Sequence, residues 1–335
     1  MKFHIILAFM SLLFSGHVCA NKASVFWFSD EPPDKSLLKN MQRRHGGFVQ
    51  VVNGVDTKQL WLKQGDSLEN SDYAPLETGQ YKLLDVKNRE HIPQPVQSRF
   101  ASIRFPMPDE GFYNNYFVNR KLDGDKLLVV TAKAEVLAHN CRNGHKYDRS
   151  LVNPHHWTEA PLEIVRLRLP EEDFHTRIRS GTRVSFQVFH QNQPVKGADV
   201  RFETKKGWIK TAKTNAEGIV TFQIIQDNFF DAEKAEKEGK KVERGHGGRV
   251  RFKDRFLVTA RYRTDESGTL QNKVYNSTEY IVATTGRYYP QQLGSKSSEQ
   301  ALWFGSLGML VTGGSFYAYR RRRIKPFKEE QFDEH

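Results

Sequence analysis

The strongest constraint on this chain is the rhythm of its interior, where short runs of β-formers are cut again and again by turn residues. In Arg183-Val184-Ser185-Phe186-Gln187-Val188-Phe189 apolar and polar side chains alternate, the period of a strand with one face in a core. Comparable runs occupy 48–52, 59–62, 81–86, 101–105, 113–117 and 127–132, and a second set occupies 162–165, 199–202, 219–222, 256–262 and 279–283. Asn53-Gly54, Thr78-Gly79 and Asp123-Gly124-Asp125 fall between members of the first set, as tight turns require. Strands at this spacing, with no helical pattern between them, predict an all-β chain of two tandem β-sandwich domains, residues 21–158 and 159–285. One segment breaks the rhythm. Residues 231–248 are dense in charge and helix formers, offer almost nothing to bury, and read as an exposed insertion in the second domain.

The two ends carry the only long apolar stretches. Residues 5–14 follow Lys2 and precede a more polar 15–20 with Val18 and Ala20 placed as the small residues before a cut, so 1–20 reads as a signal peptide. A lipoprotein acylated at Cys19 is the alternative, and Gly16-His17-Val18 is a poor match to what such a site needs. At the other end, residues 301–319 are nineteen uncharged positions. As a helix they would reach about 28 Å. Trp303, Tyr317 and Tyr319 sit near the ends of that run and Arg320 to Arg323 follow it, so the expectation is a transmembrane helix with 320–335 as a cytoplasmic basic tail. Residues 286–300, rich in Gln, Ser and Gly, read as the linker before it. The expected location is then the bacterial cytoplasmic membrane, crossed once, with the bulk of the chain periplasmic.

Composition narrows the function. A mean hydropathy of −0.65 excludes a polytopic transporter. Of the formal charge of +12, residues 320–335 account for +2 and Lys2 for +1, which leaves +9 on the interior. That suits an anionic surface or simply a solvated one, and no nucleic-acid module accompanies it. Loss of Cys19 with the leader leaves Cys141 alone, so the mature chain forms no internal disulfide.

The second domain holds Pro161-Leu162-Glu163-Ile164-Val165, then Gln193-Pro194-Val195-Lys196-Gly197-Ala198-Asp199-Val200 and Thr214-Asn215-Ala216-Glu217-Gly218-Ile219-Val220-Thr221-Phe222. In physical terms Pro194 and Gly197 shape a hairpin turn, while Asn215 and Gly218 bend the chain before the next strand. This set resembles a family of bacterial periplasmic proteins with an immunoglobulin-like or transthyretin-like sandwich, historically grouped with nickel- and cobalt-uptake components. The resemblance covers about residues 160–285 and implies an Ig-like domain and an association with metal uptake. The mature chain would begin Asn21-Lys22-Ala23-Ser24, without the N-terminal histidine common in that family.

The densest set of candidate ligands is His139, Cys141 and His145, followed by His155 and His156. Imidazole with thiolate suits Ni, Co, Cu or Zn, and a turn at Gly144 could bring the first three together. The alternative reading is a small buried cysteine with ordinary loop and interface histidines. No nucleophile elbow, zincin helix, phosphate loop or dinucleotide fingerprint is present. Asp109 and Glu110, adjacent on a Pro-rich turn, read as a solvated loop. The chain is therefore expected to be no enzyme but a binding or scaffold protein. Its partners would be the membrane and a metal-uptake or other envelope protein, with a metal-independent interaction module for proteins or polymers as the alternative.

Overall fold

The computed structural model describes residues 24–39, 41–44, 47–96, 98–140, 155–225, 239, 254–290 and 295–323. Two compact units divide the chain, Met1–Ile225 with Lys253–Tyr288, and Gln226–Phe252 with Tyr289–His335.

The first unit is all-β and sandwich-like. Its longer strands are β1 (Val25–Ser29), β2 (Gly47–Val52), β3 (Val55–Gly65), β4 (Gln80–Leu84), β5 (Ser102–Pro106), β6 (Gly111–Asp123), β7 (Lys126–Ala138), β8 (Leu162–Arg166), β9 (Arg183–His190), β10 (Asp199–Thr204), β11 (Ile209–Lys213), β12 (Ile219–Gln223), β13 (Asp254–Thr264) and β14 (Ser277–Tyr288). They form three principal sheets. A seven-stranded sheet is built around the long β3, which pairs with β1, β2 and β5. An eight-stranded sheet runs β11, β10, β13, β14, β7, β6, β4 and ends at the short strand Glu90–His91. A four-stranded sheet carries β8, β9 and β12.

The eight-stranded sheet lies between two cores. On β7, Leu127 and Val129 belong to one core, while Val130, Ala132, Ala134 and Val136 belong to the other. Successive side chains on a strand point to opposite faces, so a strand covered on both sides reads as a continuous apolar run, and Leu127-Leu128-Val129-Val130 is such a run. The four-stranded sheet closes the first core through Ile164, Val184, Phe186, Val188, Val220 and Phe222, and the seven-stranded sheet closes the second through Phe26, Phe28, Leu60, Leu62 and Ile103. At the centre β7 and β14 run parallel, Lys126 to Lys133 beside Ser277 to Thr284. The segments 21–158 and 159–285 thus share one sheet.

Turn chemistry follows the sequence at some places and departs from it at others. Asn53 (φ 50°) and Gly54 (φ 80°) make the left-handed pair that a two-residue hairpin turn needs between β2 and β3. The expected hairpin at Pro194 and Gly197 resolves into two turns: Gln191 (φ 49°) and Asn192 (φ 64°) close the hairpin from β9 into the short strand Gln193–Pro194, and Gly197 (φ 82°) turns the chain again before β10. Asn215 does bend the chain as expected, its Oδ1 accepting from the Ile219 amide at 2.7 Å.

In the second unit the described residues hold one long helix, α1 (Ser295–Arg323), 29 residues. Among the described residues no helix is long and apolar enough to cross a membrane. This corrects the expected transmembrane span at 301–319, and with it the single-pass placement and the periplasmic and cytoplasmic sides assigned from it. The physical reason lies in the side chains: ten of those nineteen positions are Gly, Ser, Thr, Tyr or Trp, each with a far weaker preference for hydrocarbon than Leu or Ile. Absence of charge had stood in for apolarity. Of the expected linker 286–300, residues 286–288 lie inside β14 and 295–300 inside α1, while 291–294 lie outside the described residues. The leader 1–20 and residues 324–335 of the expected tail 320–335 lie outside the described residues, as does insertion 231–248 apart from Gly239, while 320–323 end α1.

Candidate functional site

Strands β6 and β7 pair along their whole length, from Asp123 opposite Lys126 to Gly111 opposite Ala138. The next residues outward are Glu110 and His139, so the register itself brings them together at the open end of the hairpin. Glu110 Oε2 lies 3.0 Å from His139 Nδ1, and Oε1 accepts from the Asn140 amide at 3.2 Å. The His139 side chain is completely buried. Its ring centroid lies 5.0 Å from that of Phe174 and 5.0 Å from that of His175, the latter edge-on.

His175 is held there by a braced turn. Asp173 Oδ1 accepts from the His175 amide and from Thr176 Oγ1, both at 2.8 Å. A few residues earlier, buried Glu172 takes both arms of Arg166, at 2.8 and 2.6 Å, and accepts from the Leu169 amide at 2.8 Å. A bidentate Arg–carboxylate pair of this kind fixes orientation as well as distance. No spacing in the sequence pointed to His175, thirty-six positions from His139 in a turn dominated by acidic residues.

The other candidate ligands divide. Cys141 and His145 lie outside the described residues. His155 and His156 open the return segment, 155–157. Burial holds both imidazoles below the usual histidine range, against the raising effect of a Phe112 backbone contact at His155 and of Glu163 at His156. The His156 ring stacks on Phe189 at 4.2 Å. The buried Nε2 atoms of His155 and His156 have no hydrogen-bond partner among the described residues. His139, His155 and His156 do not converge: no group of three or more His, Cys, Asp or Glu that could hold a metal occurs among the described residues.

What fixes the return segment is a buried ion pair that sequence reading missed. Lys133 on β7 is fully buried, and its Nζ lies 3.0 Å from Glu163 Oε1 on β8. It also donates to the carbonyls of Ile164 at 2.9 Å and His155 at 3.3 Å. Glu163 Oε2 accepts from Tyr116 Oη at 2.8 Å and from the Trp157 amide at 3.0 Å, while Oε1 accepts from the Ile164 amide at 2.8 Å. Burial first, and the Glu163 carboxylate second, raise the Tyr116 phenol well above its ordinary range. Lys133 in the pattern Thr-Ala-Lys-Ala-Glu-Val looks like an ordinary outward lysine, since nothing local tells that the outward face is covered.

No family model matches the chain, and no curated protein does. Among solved structures the chain is similar to one described as structural insight into host cell surface retention of a 1.5-MDa bacterial ice-binding adhesin, at 10% identity over 70% of this chain and 58% of that one, with a TM-score of 0.20. It is also similar to a structure described as a Ca2+-stabilized adhesin that helps an Antarctic bacterium reach out and bind ice, at 8% identity over 79% of this chain and 48% of that one, with a TM-score of 0.19. The chain spans about half the length of each. Neither neighbour is a nickel- or cobalt-uptake component, and at these scores the likeness carries neither a function nor a family to this chain.

Proposed function

We propose that this chain is a non-catalytic binding protein with an Ig-like sandwich in 159–285, and that its ligand is a transition-metal ion, Ni, Co, Cu or Zn, taken up at the open end of the β6/β7 hairpin. The observation that supports this reading is the buried His139 imidazole, oriented through Nδ1 by Glu110 with the second imidazole of His175 against it. A carboxylate on Nδ1 fixes the tautomer in which Nε2 is the ligating nitrogen, the arrangement found around most metal-bound histidines. His139 also begins the segment that carries Cys141 and His145, so two further donors follow within six residues. His155 and His156 take no part in this version. Such a protein would serve metal uptake or handling by holding the ion for a partner.

The test is equilibrium dialysis of the purified full chain against each metal, with metal content read by mass spectrometry. The expected result is one ion per chain at micromolar affinity or better, weakening on acidification because protons and the metal compete for the same donor atoms. His139→Gln and His175→Gln are each expected to weaken binding by roughly 10- to 100-fold. Metal content at background for all four ions would remove the proposal. A second reading, metal-independent engagement of an anionic polymer or protein, is favoured by the cationic cluster described next.

A further inference from the structure

The register of β13 and β14 sets Arg255 directly opposite Arg287. Like charges in that relation repel, and here a third cation joins them. Lys58 of β3 has a side chain only 1% exposed, and its Nζ lies 3.9 Å from Asp30 Oδ2 and donates to the Phe48 carbonyl at 3.1 Å. Asp30, the residue after β1, receives both guanidinium groups as well. Arg255 has a further contact with the exposed Glu31 at 3.0 Å. Gly47 (φ 106°) closes the cluster with bare backbone, since a Cβ there would stand 2.6 Å from Asp30 Oδ2 and 2.9 Å from Lys58 Nζ. Beside the four side chains opens a cavity of about 210 Å³ with walls from Phe28, Leu60 and Gly286. One water needs roughly 10–15 Å³ of such space, so there is room for a polyatomic anion.

We propose that this cavity is a binding site for a small oxyanion group, phosphate, sulfate or carboxylate, gripped by Arg255, Arg287 and Lys58 in competition with the resident Asp30 carboxylate. Guanidinium groups match such oxyanions in charge and geometry, and Asp30 already accepts from one nitrogen of each arginine, Oδ1 from Arg255 and Oδ2 from Arg287. The charged groups facing Lys58 are Asp30 after β1, Arg255 on β13 and Arg287 on β14, with Glu31 behind Arg255. Glu135 of β7, which also contributes to the cavity wall, lies 3.6 Å from Lys133 and 3.9 Å from Arg166. Burial, and then Arg255, bring the Lys58 ammonium down to about 7. An incoming anion favours the protonated form, so binding tightens as pH falls through neutrality.

The experiment is calorimetric titration of the full chain with sodium sulfate, sodium phosphate and sodium acetate, at constant ionic strength and with a chelator present so that the metal reading is not engaged. Sulfate serves for the pH series because its charge is constant from pH 6 to 8. Saturable binding is expected, weakened about 10-fold or more in Arg255→Gln/Arg287→Gln and tightened about 10-fold in Asp30→Asn, where the internal competitor is gone. Lys58→Met, an apolar replacement of similar shape, is expected to weaken sulfate binding and to abolish its pH dependence. Binding of acetate alone identifies planar carboxylates as the ligand class, and binding of sulfate and phosphate alone identifies tetrahedral groups. The proposal is overturned if none of the three anions binds saturably, if the double arginine variant binds as tightly as the parent, or if both Asp30→Asn and Lys58→Met leave the affinity unchanged.

Discussion

Lys133→Met is expected to cost about 3–5 kcal/mol of folding stability, because it removes one partner of a buried ion pair and strands the other. Glu163 is 1% exposed, and Tyr116 Oη and the amides of Trp157 and Ile164 would still donate to it with no cation at hand. The Lys133 ammonium also lies over the Tyr116 ring at 5.6 Å, a contact the variant loses. The carbonyls of His155 and Ile164 lose their donor in the same step. Lys133→Met/Glu163→Gln tests whether a stranded charge is the cause. A neutral amide oxygen can still accept from Tyr116 and Trp157, so the double variant is expected to recover most of the loss. Urea unfolding followed by tryptophan fluorescence measures the parent, Lys133→Met, Glu163→Gln and the double variant. Lys133→Met costing under about 1 kcal/mol, or a double variant whose cost is the sum of the two single costs, would contradict the pairing.

Lys58 gives the second large effect, and its sign is set by linkage. Its ammonium titrates near 7 in the folded chain against an ordinary value of 10.5, through burial first and Arg255 second. Below pH 7 both folded and unfolded chains hold the proton, and the full cost of burying the charge is present. As pH rises from 7 towards 10.5 the folded chain has shed the proton while the unfolded chain keeps it, so this group's contribution to stability climbs. Relative to Lys58→Met, the parent is expected to gain roughly 3 kcal/mol between pH 6 and pH 9. Comparing the two proteins at each pH cancels the other titrating groups. A stability difference that stays flat across that range, or that moves against the parent, would show Lys58 to be solvated and ordinary.

Local structure was legible where local chemistry decides it. The run Val184-Ser185-Phe186-Gln187-Val188 reads as a strand with one covered face, and Val184, Phe186 and Val188 all enter a core. Asn53-Gly54 reads as a hairpin turn for the same reason that it forms one, because both residues tolerate positive φ. Pairings between distant parts of the chain were not legible. Nothing in Leu127-Leu128-Val129-Val130 names 277–284 as its parallel neighbour, although the unbroken apolar run does imply two covered faces. The strand Val25–Ser29 escaped notice because five consecutive buried residues carry no alternation. Lys58, Arg255 and Arg287 meet from three strands, so their convergence has no trace in spacing. Of the candidate ligands, His139 gained Glu110 through hairpin register, a relation readable once β6 and β7 are aligned, whereas His175 arrives through tertiary packing alone.

The metal site proposed at the end of that hairpin is most directly tested by the electronic absorption spectrum of the full chain loaded with Co(II). A site built on His139 with His175, Cys141 or His145 predicts the intense visible bands of a low-coordinate ion, weakened in His139→Gln, and a site that includes Cys141 adds a thiolate charge-transfer band that disappears in Cys141→Ser. A spectrum indistinguishable from aqueous Co(II), unchanged by these substitutions, would contradict the metal-binding account at its root.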